Sequence, residues 1–442
     1  MGLADRSVFV VGAGLAGCEA ARKLARFGLR PVLLEMKPQT YSPAHVLPGP
    51  AELVCSNSLK SDDPATAHGL LKQELRQLGS ILLEAADRAR VPAGSALAVD
   101  RRELCDAVAE LLERDGVELR AGQRVESPPD GDVILATGPL TDPALAGWIA
   151  RAIGTKSAMF FYDALAPIVE ASSIDRSLAF FGSRWGKGGE DDYLNCPMDR
   201  PTYRRFVEAL RAAPTTPLHD FEDPDYYEGC LPVEVMAERG EDALAFGPMR
   251  PVGLSAAGER HWAVVQLRAE NKDRTAYNLV GFQTKLTQPA QRTVFRMIPA
   301  LRKARFLRYG AVHRNFYVES PHVLDDHFAL KGESRVRLAG QITGVEGYVE
   351  SAAMGLWVGA LLACERLGLE MAPPPRDFAL GALWAHVRGQ CGAAVFEPMN
   401  IHFGLLPPAD GKGRIQRRAR AIDRARSAFA AWHRGLPDAM RA

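Results

Sequence analysis

The stretch Ser7 to Glu35, SVFVVGAGLAGCEAARKLARFGLRPVLLE, constrains the fold more than any other in the chain. Val8, Phe9, Val10 and Val11 form a continuous apolar run that reads as a buried strand. Gly12, Gly14 and Gly17 follow as G-x-G-x-x-G, with Ala13, Leu15 and Ala16 between them. Glu19 to Phe27 read as a helix, Gly28 stops it, and Pro31 to Leu34 make a second strand ending on Glu35. This is a βαβ unit. Its glycines permit a tight turn, close approach of the backbone to a pyrophosphate, and close helix–strand packing. The helix start offers unpaired N–H groups and the positive end of its dipole to phosphates. Glu35 lies about 20 residues beyond the glycines, where a carboxylate accepts ribose hydroxyls. An acid there suits an unphosphorylated ribose, hence FAD or NAD rather than NADP. The alternative, a glycine turn in an ordinary βαβ unit, does not ask for strand, helix and acid in this order.

Two later segments choose between these ligands. Asp132 to Pro139, DVILATGP, is an apolar strand ending in Ala136, Thr137 and Gly138. Arg335 to Gly355, RVRLAGQITGVEGYVESAAMG, places a strand over Val336 to Ala339. Gly340, Gln341, Gly344 and Gly347 follow, and then a helix of small residues beginning near Tyr348. Together these segments resemble the flavin disulfide-reductase-like FAD fold, in which the second helix start points at the flavin end of the cofactor. The expected class is α/β: a Rossmann-like FAD-binding domain, residues 1–155 and 325–442, split by an inserted α+β domain, 156–324, with a C-terminal helical region. A simple Ala/Gly packing helix is the alternative for the last segment.

The bulk properties exclude more than they assign. The 442 residues, 47% hydrophobic, suffice for a large core and two or three domains. Formal net charge is +1, so no overall field announces a polyanion, although a local basic patch can hide in a neutral total. The N-terminus lacks the pattern of a signal peptide, and no apolar run approaches the roughly 18 residues of a membrane span. The expectation is a cytoplasmic protein. The seven cysteines are scattered with no CxxC pair, which argues against a disulfide framework or a metal site.

Between Gly154 and Leu330 aromatics, prolines and short strands dominate, and no second GxGxxG appears. That argues against a dedicated NAD(P)H domain. The last stretch carries Arg414, Arg417, Arg418, Arg420, Arg424, Arg426 and Arg434, with Ile415, Ala419, Ile422, Ala425 and Phe429 at helical spacing. It reads as an amphipathic helix packed on the domain, as a basic face for phosphates, or as both.

Cys55 raises a separate question. In AELVCSNSLKSD it stands between Leu53-Val54 and a polar run, whereas free cysteines usually sit in cores. This segment, with GAGLAGCEAA, RVPAGSALAVDR, LATGPLT, DYLNCPM, EGCLPVEVMAERG, FGPMRPVGL, FQTKL, RYGAVHRN, GQITGVEGYVESAAMG and PMNIHFGLLPP, resembles the folate- and FAD-dependent tRNA (uracil-5-)-methyltransferases, the TrmFO family. The resemblance runs in order from about Val8 to Pro408. The motifs around Cys55 and Cys230 set it apart from the related GidA/MnmG flavoproteins. It implies that methylenetetrahydrofolate gives the one-carbon unit, that reduced flavin turns methylene into methyl, that NAD(P)H reduces the flavin, and that the acceptor is C5 of the T-loop uridine of tRNA.

C5 of uracil is a poor nucleophile. A thiolate added to C6 turns it into a carbanion equivalent, and the C5 proton then needs a base. Following the family motifs, Cys230 is the nucleophile and Cys55 the acid/base partner. The residues alone leave open which is which. Either thiol would need its pKa lowered from about 8.5. Cys18, Cys105 and Cys364 fall in helical apolar patterns and read as core; for Cys196 packing is favoured over catalysis. His313, Arg314 and Asn315, with Gln283, resemble family positions near flavin and folate, and Tyr348 is a candidate for stacking near the flavin. Structural polar networking is the alternative for these. The same chemistry on ribosomal RNA, a flavin oxidoreductase without RNA, and a non-enzymatic RNA-binding factor are the competing functions. Oligomeric state is not readable.

Overall fold

The computed structural model describes residues 7–186, 188–189, 191–217, 231–254, 261–392 and 395–441. Along the chain, β1 (Ser7–Val11), α1 (Leu15–Arg26) and β2 (Arg30–Glu35) make the first unit, and α2 (Ala67–Gln77) follows. β3 (Val133–Leu135) returns to the first sheet and β4 (Ala158–Ala164) leaves it. β5 (Ala263–Ala269) runs through a second sheet, and β6 (Val312–Val318) leads back. β7 (Glu333–Leu338), α3 (Tyr348–Leu367) and α4 (Gly413–Arg434) follow.

The first sheet has the order Ala329–Leu330, β7, β3, β1, β2, Glu118–Ala121. All its pairs are parallel except the outermost, Ala329–Leu330 with β7. The chain runs from β1 to β2 on one side and later to β3 on the other. The crevice at the carboxyl end of β1 is therefore a topological switch point, where open α/β sheets bind ligands. Strand β3, VIL, and the inner positions of β1 are fully buried, as a sheet covered on both faces requires.

The helix covering this sheet is held by its small residues. α1 and α3 cross closely because Gly355 and Gly359 face Ala16 and Ala20; a Cβ on Gly359 would stand 2.7 Å from Ala20 O. That contact explains the alanine- and glycine-rich helix after Gly347. Trp357 then fills the space behind it, buried against Trp432 of α4 at 5.9 Å between ring centroids.

The second sheet is antiparallel, in the order Phe180–Phe181, Tyr193–Met198, β5, Ala276–Leu279, Ile168–Glu170, Phe306–Arg308. Its apolar core, around Phe206, Phe282 and Phe295, is drawn from residues between Val169 and Ala304. β4 and β6 form an antiparallel ribbon between the two sheets, and Phe316 and Val318 of β6 already pack in the first core.

Cys18, Cys105, Cys196 and Cys364 are buried, in keeping with a packing role. On α4 the apolar face begins later than its spacing predicts. Ala421, Ile422, Ala425, Phe429 and Trp432 are buried, but Ile415 is 88% exposed and Ala419 is exposed too. The first two turns project past the body, so spacing alone put Ile415 on a face that meets nothing. Among the described residues no helix is long and apolar enough to cross a membrane.

Candidate active site

A cavity of about 400 Å³ opens at the carboxyl end of β1 and is walled by both sheets. Its floor is the glycine loop. Gly12 takes φ +96°, and a Cβ there would meet Ala136 O at 2.8 Å. A Cβ on Gly17 would overlap the Gly12 carbonyl. Both glycines are required by the fold itself. Gly14 is different: its nearest atom beyond its chain neighbours would be Ala136 O, at 4.0 Å. Gly14 opens α1 and lines the cavity, so the room beside it faces a ligand. Glu35 closes the loop, its carboxylate accepting from Ala13 N at 2.8 Å and Lys37 N at 3.0 Å.

A second helix start faces the same space. Gly347, at φ +112°, precedes α3, and Tyr348 opens it. Gly138, at φ +68°, has nothing within 4 Å of where a Cβ would stand. Two helix starts, an acid at the end of β2 and unfilled space beside glycines make a cradle for a dinucleotide with an unphosphorylated ribose, as FAD requires. Gly12, Ala13, Gly14, Leu15, Ala16, Glu35, Gly138, Gln341, Gly347 and Tyr348 line the cavity. Gly17 and Gly340 lie behind the lining; a Cβ on Gly340 would press on Ala16 Cβ at 2.6 Å.

The loop carrying Cys55 is fastened at both ends. Ala51 N donates to Ala13 O at 2.8 Å, tying the loop to the glycine turn. The buried Lys37 and Glu52 pair at 3.5 Å, and Glu52 accepts from Val46 N and Leu47 N. Beyond Cys55, Asn57 Nδ2 donates to Val99 O at 3.0 Å and to Ala269 O at 2.9 Å, reaching the end of β5. Arg268 of β5 returns the contact, to Asn57 Oδ1 at 2.8 Å and Ser56 Oγ at 2.9 Å. The polar run after Cys55 is therefore clamped between Val99 and β5 of the second sheet, and Cys55 is the residue it holds at the cavity wall.

Tyr348 meets Cys55 across this wall. Its hydroxyl oxygen accepts from Cys55 N at 2.8 Å and Ser56 N at 3.2 Å, and lies 2.9 Å from Cys55 Sγ. Two donors already point at the oxygen, so its own hydrogen is best directed at the sulfur. Burial, reinforced by the Asp163 carboxylate, pushes the Cys55 thiol up to about 12, against the opposing Tyr348 contact. Cys55 therefore rests as a thiol at neutral pH, contrary to the lowered pKa a reactive thiol would need.

The predicted positions on β6 divide by strand alternation. His313 and Asn315 line the cavity, whereas Arg314 is exposed on the other face with its guanidinium 3.4 Å from the Phe160 ring centroid. Gln283 lines the cavity, and its carbonyl accepts from Val233 N at 2.7 Å. Cys230 lies outside the described residues.

Several lining groups carried no motif. Asp163, Glu346 and Glu350 gather on one wall beside Lys60. Burial pushes the Glu346 carboxyl up to about 8, with Asp163 adding to it, while Gln341 donates to it at 2.6 Å. Glu350 sits equally deep yet is held near 2, because Lys60 and His68 outweigh its burial. His45 is pushed down to about 4 by burial and by Lys37, Arg308 and His313. The acids flanking Gly347 in GVEGYVE were the one available signal for this wall; Asp163, Lys60 and His45 are brought in by tertiary folding alone.

Comparison with known proteins agrees with this geometry. Residues 7–370 match the family described as Glucose inhibited division protein A. A methylenetetrahydrofolate–tRNA-(uracil-5-)-methyltransferase TrmFO from Myxococcus xanthus is 51% identical over 441 residues, 98% of this chain and 96% of that protein. One of the same description from Geobacter sulfurreducens is 51% identical over 430 residues, 96% of this chain and 98% of that protein. The solved structure of Aquifex aeolicus GidA superposes with a TM-score of 0.68 at 18% identity, covering 98% of this chain and 74% of that one, a likeness of fold.

Proposed function

The chain belongs to the Glucose inhibited division protein A family, in its methylenetetrahydrofolate–tRNA-(uracil-5-)-methyltransferase branch, and we propose how its cavity performs that reaction. The enzyme methylates C5 of uracil in tRNA with methylenetetrahydrofolate as donor. FAD, when bound and in its reduced form, would supply the two electrons that take the transferred carbon from methylene to methyl. Within this reading the target is the T-loop uridine and NAD(P)H restores the reductant.

The observation that carries the site assignment is the Cys55–Tyr348 contact at the cavity wall. A thiol that rests protonated suits the acid/base position: its thiolate, once formed, is a strong base for the C5 proton. Cys230 takes the other role. Its thiolate adds to C6, and C5 gains the electron pair that bonds the incoming methylene carbon as that carbon's bond to its carrier nitrogen breaks; Cys55 gives its proton to that nitrogen, the resulting thiolate takes the C5 proton, and the sulfur leaves C6 as the carbon is reduced to methyl. Val233, three residues further along the chain, is bonded to cavity-lining Gln283, which supports this assignment. Glu35 and the start of α1 hold the cofactor's ribose and phosphates, and the start of α3 faces its flavin end. His313, Asn315 and Gln283 bind the bases and folate, while Arg314, on the outer face of β6, is read as a contact to RNA or solvent. Residues 1–155 with 325–442 act as the cofactor unit and 156–324 as the substrate unit; a separate core between Val169 and Ala304 supports the division, while Phe316 to Leu324 pack with the cofactor unit.

The test is nucleoside mass spectrometry of unmodified tRNA transcript incubated with enzyme, NADPH, FAD and methylenetetrahydrofolate carrying a heavy methylene carbon. A parallel tube carries S-adenosylmethionine with a heavy methyl. Heavy 5-methyluridine is expected only with folate, and is lost in Cys230→Ala and Cys55→Ala. Methylation that survives both substitutions would overturn the thiol assignment.

A further inference from the structure

The α4 arginines remain unused by the chemistry above. From Lys412 to Ile422 the chain carries five cations, Lys412, Arg414, Arg417, Arg418 and Arg420, and no acid. They stand at the amino-terminal end of a helix whose first turn contains no acidic residue. Cations there oppose the helix dipole. Arg414 and Arg417, Arg417 and Arg420, and Arg414 and Arg418 are also like-charge neighbours at i,i+3 or i,i+4 spacing, which destabilises a helix. Among the described residues no carboxylate lies within ion-pair distance of Arg414, Arg417, Arg418 or Arg420. Asp377 pairs only with Arg424, one turn further on.

The same turns have no buried face. Residues 412–417 are all exposed. Arg420 reaches Asp410 O, and Arg418 donates to Ala65 O at 2.8 Å while stacking on Phe403 at 4.8 Å. That last contact places the overhang beside the active site. Ala65 immediately precedes Thr66, the cap of α2, and His68 of α2 lies 3.4 Å from Glu350 in the cavity wall. Phe403 follows Ile401, whose N–H donates to the same carboxylate at 3.2 Å. A short path of polar contacts through His68, Glu350 and Ile401 thus links the cavity lining, where Lys60 stands, to Arg418 of α4.

We propose that the exposed amino-terminal turns of α4, through Arg414, Arg417 and Arg420, grip the phosphate backbone of the tRNA whose uridine enters the cavity. The inference rests on the tRNA reading above. A polyanion relieves both the like-charge repulsion and the unfavourable end of the dipole, and a backbone contact beside the mouth positions the RNA without reading its sequence. Nearly neutral overall, the enzyme has to concentrate its attraction for RNA locally.

The experiment measures binding of unmodified tRNA transcript to the full chain by fluorescence anisotropy between 50 and 200 mM salt. It compares wild type, the triple variant R414Q/R417Q/R420Q, its charge-conserving counterpart R414K/R417K/R420K, and R434Q at the far end of α4. Each lost phosphate contact lowers the slope of log affinity against log salt by about 0.7–0.9. The triple glutamine variant should lose about two to three in slope and on the order of tenfold or more in affinity at low salt. Its KM for tRNA should rise with kcat held. The lysine variant should keep most of the slope, and R434Q all of it. A wild-type slope in the triple glutamine variant would overturn the proposal. So would unchanged tRNA affinity with lost binding to anionic phospholipid vesicles, which would assign the face to a membrane. Failure of the tRNA reading shows separately, as no methylation by the wild type, because the slope is measured without turnover.

Discussion

The glycine cradle and the Cys55 clamp line one cavity and are built by different means. In the cradle, backbone does the work: Gly12 and Gly17 let β1 turn into α1, and two helix starts present N–H groups. Its parts are neighbours in sequence or repeat a known order. In the clamp, side chains do the work across long chain separations: Tyr348 to Cys55, Arg268 to Ser56 and Asn57, Asn57 to Ala269. Where the cradle packs backbone on backbone, at Gly12 and Gly17, it tolerates no added atom. A clamp tolerates change in proportion to the hydrogen bonds it loses.

The largest expected effect lies in the cradle. Gly17→Ala drives a methyl group into the Gly12 carbonyl, backbone against backbone, with no flexible end to yield. The loss should exceed about 3 kcal/mol, beyond the usual cost of overpacking, and flavin absorbance should vanish from the purified protein. Gly14→Ala sharpens the point, because its Cβ has 4.0 Å of clearance and its φ of −74° suits alanine. Denaturation of the flavin-free form should stay within about 1 kcal/mol of wild type while flavin affinity falls. Wild-type flavin affinity in Gly14→Ala would show that this glycine does not face the cofactor.

Next comes the clamp. Arg268→Gln removes two charge-assisted hydrogen bonds and leaves Asn57 Oδ1 short of a donor in a buried place. About 2–3 kcal/mol of stability should go, with methylation reduced and flavin retained. Flavin lost along with methylation would mean that the walls are not separable. Between the two regions, Gly355→Ala tests the crossing of α1 and α3, where a methyl would run into the backbone of Ala16. About 2 kcal/mol is expected by urea unfolding, from overpacking alone.

This contrast also explains what could be read from sequence. β1, α1 and β2 were legible to within a few residues because period, glycine spacing and Glu35 lie in one window. The small-residue helix after Gly347 was legible by its likeness to the first. The role of Arg268 was not, since nothing in VVQLRAENK tells which loop, some 200 residues earlier, its guanidinium meets. Arg314 shows the limit of motif transfer: HRN is continuous in sequence, yet a strand turns its middle residue to the opposite face. Ile415 shows the limit of periodicity, which finds a face without telling whether anything covers it.

The smallest stability effect, and the most specific, is expected from Tyr348→Phe. The ring stays, but Cys55 N and Ser56 N lose their acceptor; Cys55 is only half-buried, so water replaces part of the loss and about 1 kcal/mol is expected. The informative readout is the pH dependence of Cys55 alkylation, followed by peptide mass spectrometry. With the thiol pushed up to about 12, the wild-type rate should rise tenfold per pH unit from pH 7 to 10 without levelling. A plateau near pH 8.5 would show an ordinary thiol and remove the argument for its acid/base role. Because the Tyr348 contact lowers the thiol's pKa, Tyr348→Phe should make the thiolate rarer and alkylation slower at every pH in that range. The same group sets a stability slope. Above about pH 8.5 the unfolded chain releases this proton while the folded state keeps it, so stability should fall as pH rises toward 12. Cys55→Ser should flatten that part of the curve. A clamp that holds a proton and a cradle that holds a cofactor would then be separable by pH, since the variants that empty the cradle leave this slope in place.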